Sequence, residues 1–152
     1  MLSPERRVAR VPASLTPSER RTKVGNSEGA AMPKILVVDD EVNVRKLYKK
    51  ELEDEGHEVV TAANGAEALQ VIAGTTPDLV ILDIKLETEN GLDLLRRMKE
   101  VQPALAVILN SGYSTYRDDF SSWLADAYLV KSSNTTELTS VVREVLVARE
   151  VR

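Results

Sequence analysis

The sequence predicts an α/β fold: a doubly wound, five-stranded parallel sheet flanked by five helices. Three observations predict it. Short, uninterrupted apolar runs recur along the chain, the pattern of strands buried on both faces. Longer stretches between them carry apolar residues at helical spacing, with charges in the gaps. Strand and helix alternate from residue 34 onward, which implies right-handed crossovers and helices on both faces of one parallel sheet.

Each element has its own justification. Ile35-Leu36-Val37-Val38 is a continuous apolar run that ends in Asp39, Asp40 and Glu41. Residues 42–55 place Val44, Leu47, Tyr48 and Leu52 at helical spacing, and Gly56 closes the helix. Residues 58–62 form the second strand. Asn64-Gly65 opens the second helix, with Asn64 as its cap and Ala68, Leu69 and Ile72 on its apolar face. Residues 79–82 make the third strand, 91–101 the third helix and 105–109 the fourth strand. The stretch 113–124 is the least periodic and is assigned the fourth helix. Leu129-Val130 is the centre of the fifth strand, and residues 136–147 form a last amphipathic helix.

The chain of 152 residues suits one domain with a proper core. It has no cysteine, so disulfides, thiolate metal sites and cysteine nucleophiles are excluded. No run approaches the roughly 18 apolar residues of a membrane span. The formal charge of -4 is unevenly spread. Residues 1–31 hold six Arg or Lys against three Glu, leaving fourteen basic and twenty-one acidic residues from Met32 onward. A body this acidic is no nucleic-acid binder, which needs a basic face to displace counterions. The first 31 residues, rich in Pro, Ser and Arg, are expected to be a disordered basic extension. Met32 would serve as a natural start, which makes that extension dispensable; the alternative is a basic arm that touches an acidic partner. The domain is then expected to span 32–152 with no output domain.

Ligands of an open parallel sheet bind outside the carboxyl ends of its strands. The polar residues there are Asp39, Asp40 and Glu41 after the first strand, Asp83 after the third, Ser111 after the fourth and Lys131 after the fifth. Clustered carboxylates repel and raise one another's pKa unless a cation sits among them. Magnesium, a hard oxygen-seeking cation, suits such a set. The single histidine, His57, falls at the start of the second strand, on the opposite edge, and is expected to be a partly exposed strand residue. With magnesium beside it, a carboxylate can attack phosphorus and form an acyl phosphate, while an ammonium and a hydroxyl hold the phosphoryl oxygens. Singly, each residue is as well explained by a turn, a cap or a solvated surface. Converging on one edge, they fit phosphoryl transfer to a protein carboxylate.

These residues resemble the receiver domain of two-component response regulators over residues 34–147. The matching pieces are Ile35-Leu36-Val37-Val38-Asp39-Asp40-Glu41, Val80-Ile81-Leu82-Asp83, Asn90-Gly91, Ile108 through Gly112, and Tyr128-Leu129-Val130-Lys131. The resemblance implies a flavodoxin-like, receiver-type sheet in a stand-alone cytoplasmic switch that is not an enzyme. Asp83 is then the phosphoacceptor. Asp40 is a direct Mg2+ ligand, Asp39 a direct or water-mediated one, and the Lys85 backbone carbonyl a further ligand, with Asp83 completing the set. Ser111 follows the phosphoryl group on switching, Lys131 pairs with it, and Tyr128 rotates inward as the readout. The implied partners are a sensor histidine kinase or phosphotransfer protein, and a downstream protein on the face of the fourth helix, fifth strand and fifth helix; neither nucleic acid nor membrane is bound directly.

Three departures from that family's pattern bear on these expectations. Glu87, Thr88 and Glu89 stand where proline usually begins the loop, which implies a looser loop with two extra charges near the site. Ser132 follows the lysine where proline is usual, so either a cis bond costing about 2.5–4 kcal/mol is kept or the lysine is aimed differently. Residues 113–123 depart from the usual fourth helix, and Trp123 there is either a partner anchor or a core residue. Lys85 and Tyr113 match positions that tune water access to the acyl phosphate, and their bulk implies slow loss of phosphate. Two other functions stay open: a pseudo-receiver that binds protein independently of phosphorylation, and a magnesium-dependent phosphohydrolase, which the lack of a second acid-base carboxylate disfavours.

Overall fold

The computed structural model describes residues 32–87, 89–112, 124–132 and 134–150. Five strands form one parallel sheet: β1 (Lys34–Val38), β2 (Glu58–Ala62), β3 (Leu79–Asp83), β4 (Ala106–Ser111) and β5 (Ala127–Val130). Their spatial order is β2-β1-β3-β4-β5. Among the described residues there are four α-helices: α1 (Val42–Asp54), α2 (Gly65–Thr75), α3 (Gly91–Val101) and α4 (Thr136–Glu150). The helix expected over 113–124 lies outside the described residues apart from exposed Leu124. The last helix expected from the sequence is α4.

The sheet is wound on both faces because its central strands are apolar on both. Leu36, Val80, Leu82, Val107 and Leu109 point to one side, where Ala68 and Ile72 of α2 and Leu94, Leu95 and Met98 of α3 cover them. Ile35, Val37, Ile81, Ala106 and Ile108 point to the other, under Tyr48 and Leu52 of α1 and Leu138, Val142 and Val145 of α4. Each fully buried Leu or Ile contributes about 2 kcal/mol of transfer free energy, so these two layers dominate the stability. No helix of the described residues is long and apolar enough to cross a membrane.

Local chemistry sets the helix ends. The α1 helix stops in a Schellman turn: Gly56 takes φ +95°, His57 N–H donates to the Leu52 carbonyl at 3.1 Å and Gly56 N–H to that of Glu53 at 2.9 Å. That turn folds His57 inward, so its ring is buried rather than partly exposed as the sequence suggested. Burial lowers its pKa, and Nδ1 has no hydrogen-bond partner among the described residues. Helix α2 starts as expected, with the Asn64 side chain accepting from Glu67 N–H at 2.9 Å. At α3, Asn90 accepts from Leu92 N–H at 2.7 Å. Glycine is required at position 91: a Cβ there would lie 2.3 Å from the Asp83 carbonyl oxygen, so only glycine lets α3 begin directly against the end of β3.

Candidate functional site

The first crossover leaves β1 toward β2, while the rest of the chain builds outward on the other side through β3, β4 and β5. The reversal opens a crevice between β1 and β3 at their carboxyl ends. Register fills it. Val38 pairs with Leu82, so the next residues, Asp39 and Asp83, stand side by side. Asp83 pairs with Asn110, and Ser111 with Val130, which puts Ser111 and Lys131 at the same edge.

Carboxylate oxygens of Asp39, Asp40 and Asp83 all lie within 4.8 Å of one another. Asp39 and Asp83 are only 1% and 4% exposed, and Asp40 is half-buried. The Lys131 ammonium bridges the cluster: Nζ is 2.9 Å from Asp39 Oδ2, 3.2 Å from Asp83 Oδ2 and 3.4 Å from Glu41 Oε1. Lys85 N–H donates to Asp83 Oδ1 at 3.2 Å, and Glu41 N–H to Asp39 Oδ1 at 2.9 Å. Burial, reinforced by the Asp39 charge, pushes the Asp83 carboxyl up to about 6, although Lys131 and the Lys85 amide oppose the rise. Burial alone would pull the Lys131 ammonium down, but its bonds and charge attraction to Asp39 and Asp83 outweigh that and hold it above the ordinary lysine value.

One ammonium shared among three carboxylates leaves the pocket with excess negative charge. All the clustered donors are hard oxygens, and a small divalent cation such as Mg2+ fits them. Asp39, Asp40 and Asp83 are the side chains that would hold it.

The other expected site residues fall where the strands carry them. Ser111 is the last residue of β4, rather than one just beyond it, and is fully buried; its carbonyl accepts from Lys131 N–H at 2.6 Å. Tyr128 is half-buried beside Leu109 and packs against the core layer under α2 and α3. Lys85, two residues after Asp83, has its side chain exposed, and its backbone bridges to Asn90. The bond before Ser132 is trans, like every peptide bond among the described residues, and the ammonium nevertheless reaches both buried carboxylates. The sequence also led to an expectation of two loose charges beside the pocket. Glu87 is exposed, but Glu89 turns to α2, accepting from Gly65 N–H at 2.6 Å. Thr88, Tyr113 and Trp123 lie outside the described residues.

Three contacts escape the sequence reading. Arg45 Nη1 donates to the Asp39 carbonyl at 2.6 Å, fixing the turn out of β1. Lys131 reaches Glu41, a residue that shared the edge but had no role assigned. Asn110 Nδ2 donates to the Tyr48 hydroxyl at 2.8 Å, a wholly buried pair that joins β4 to α1 one residue before Ser111. The signal for the last was available: an amide at the end of the apolar run Val107-Ile108-Leu109.

A doubly wound sheet with a carboxylate–lysine cluster at its switch point defines a class, small α/β proteins that do their chemistry outside the carboxyl edge. The particular family follows from comparison: the chain belongs to the response regulator receiver domain family, whose model matches residues 35–143. Sporulation initiation phosphotransferase F of Bacillus subtilis (strain 168) is 39% identical over 80 residues, covering 53% of this chain and 64% of that protein. Response regulator protein TrrA from Thermotoga maritima, in a crystal structure with Mg2+–BeF, is 46% identical with a TM-score of 0.72, over 75% of this chain and 99% of that one. The same regulator in complex with histidine kinase ThkA is 47% identical with a TM-score of 0.71, over 76% of this chain and 99% of that one. The chain spans less than two thirds of the length of the first curated relatives it matches.

Proposed function

We propose that the protein is a phosphorylatable receiver of a two-component phosphorelay, with Asp83 accepting a phosphoryl group from a sensor histidine kinase or a phosphotransfer protein. The observation that carries this reading is the Lys131 ammonium lying between Asp39 and Asp83, with the Asp39, Asp40 and Asp83 oxygens within 4.8 Å. An Asp83 oxygen attacks phosphorus, the bond from phosphorus to the donor imidazole breaks, and the imidazole nitrogen takes up a proton. Bound at Asp39, Asp40, Asp83 and the Lys85 carbonyl, Mg2+ supplies charge neutralisation for the phosphoryl oxygens. Lys131 pairs with one of those oxygens and Ser111 hydrogen-bonds another, which draws the end of β4 inward and lets Tyr128 follow. The pairs formed by TrrA with Mg2+–BeF and with histidine kinase ThkA support the ion and the kind of donor.

On this reading the domain acts as a cytoplasmic switch rather than as a turnover enzyme. Its downstream partner is a protein that docks on the face of β5, α4 and the helix expected over 113–124; the acidic body binds no nucleic acid directly, nor does the protein bind a membrane. The deciding experiment incubates the chain with Mg2+ and a small acyl-phosphate or phosphoramidate donor, then measures intact mass. A single phosphate adduct, absent in Asp83→Asn, is expected. No adduct at saturating donor would leave a pseudo-receiver, and continuous hydrolysis of a phosphoester would make the protein an enzyme.

A further inference from the structure

The loop between β3 and α3 holds the Asp83 side of the pocket, and it carries no proline to fix a backbone angle. Its base is closed by Gly91 N–H donating to the Ile84 carbonyl at 2.7 Å and by the antiparallel bridge between Lys85 and Asn90. Glu89 adds a tether to another element. Its Oε2 accepts from Gly65 N–H at 2.6 Å at the first residue of α2, and its Oε1 lies 3.3 Å from Arg97 Nη2 of α3. A carboxylate is well placed there, because a helix start presents unpaired N–H groups and a partial positive charge. Arg97 is about half exposed, so its ion pair is screened and the backbone hydrogen bond is the stronger tie.

The α2 side is shaped to receive this carboxylate. A Cβ on Gly65 would lie 2.3 Å from Glu89 Oε1 and 2.7 Å from Oε2, so the approach exists only because residue 65 is glycine. Gly65 and Glu89 are 24 residues apart in the chain, so the contact ties two separate elements.

We infer that Glu89 is a positioning residue for the metal and phosphoryl site: latched to the start of α2, it holds the loop so that Lys85 faces Asp83. This rests on the reading of Asp83 as a phosphoacceptor beside Mg2+, and it adds a residue that touches neither. Lys85 is the link, since its N–H already meets Asp83 Oδ1 at 3.2 Å and its strand-like pairing with Asn90 adjoins Glu89. When the latch opens, the base pairing of the loop persists but the orientation of Lys85 and Glu89 relative to the pocket relaxes.

The test measures the Mg2+ dissociation constant by calorimetry, amide hydrogen exchange at Lys85, and the initial rate of Asp83 phosphorylation by a small phosphoramidate. Glu89→Ala is expected to weaken Mg2+ binding about tenfold, the scale of losing a group that orients a metal ligand. Gly65→Ala, which expels the carboxylate without straining the helix, is expected to do the same. The double variant should be no worse than either single one, and Lys85 exchange should quicken in all three. Glu89→Gln, which keeps an acceptor for Gly65 N–H, should recover most of the affinity. A destabilised control on the far face, Val145→Ala, should leave Mg2+ affinity unchanged. Unchanged Mg2+ affinity and Lys85 exchange in both single variants overturns the latch, as does strict additivity in the double. If instead the parent chain takes up no phosphate while the Mg2+ and exchange results hold, the phosphoacceptor reading fails and the latch stands as a metal-site device.

Discussion

Asp83 carries a conflict that its neighbours only partly resolve. It is buried beside Asp39, and its carboxyl titrates near 6 rather than at the ordinary 3.8. Between those values the folded chain holds a proton that the unfolded chain has released, so in chelator this group's contribution to stability is greatest below about pH 4 and is lost as pH rises through 6. Asp83→Asn removes the charge. In chelator it should be more stable than the parent above pH 6, by about 1–2 kcal/mol, with the gap closing toward pH 4; paired denaturant melts across that range check it. Mg2+ must displace the same proton, so its affinity should fall about tenfold between pH 7.5 and pH 5, measurable by calorimetry. Lys131→Ala exposes the opposite failure, two buried carboxylates without their ammonium. It should cost about 3 kcal/mol in chelator, and millimolar Mg2+ should restore part of that, seen as a larger Mg2+-induced rise in Tm than the parent shows. Asp39, Asp83 and Lys131 were legible because each is the first polar group at the end of an apolar run, which requires only strand pattern; Asp40 and Ser111 each stand one residue further on. Arg45 was not, because its reach to the Asp39 carbonyl depends on how α1 is rotated over the sheet.

Elements meet through contacts that pattern alone leaves open. The helix α1 reads as amphipathic from Val44, Leu47, Tyr48 and Leu52, yet Leu47 is 39% exposed while Tyr48 is buried and hydrogen-bonded to Asn110. A hydrophobic period locates the stripe but not the residue at its centre. Tyr48→Phe leaves the Asn110 amide buried without that acceptor, and should destabilise the protein by about 1–3 kcal/mol. Adding Asn110→Leu removes the orphaned amide and should recover most of the loss, a non-additivity that a double-mutant cycle by urea unfolding resolves. The loop after β3 shows the same limit. Glu89 looked like a spare charge beside the pocket because sequence order places it near Asp83, whereas its partner Gly65 belongs to another helix. Ser132 offered two alternatives, a retained cis bond or a differently aimed lysine; the bond is trans, and Lys131 still reaches Asp39 and Asp83.

At the scale of the whole molecule, the doubly wound sheet was readable because both faces of its central strands are apolar, a pattern that surface strands of an antiparallel sheet do not share. The segment over 113–123 lacked a period in the sequence and lies outside the described residues, as does the basic stretch 1–31. The strand order has a further result. The pocket draws Asp39 from β1, Asp83 from β3 and Lys131 from β5, contacts spanning 90 positions for the Lys131–Glu41 pair. During synthesis the two buried acids are made long before the base that joins them. Until β5 docks at the edge of the sheet, Asp39 and Asp83 lack the ammonium that lies between them in the folded domain. The carboxylate–ammonium cluster therefore closes only with the final strand: a chain that stalls before it has its acids but not the ammonium that bridges them.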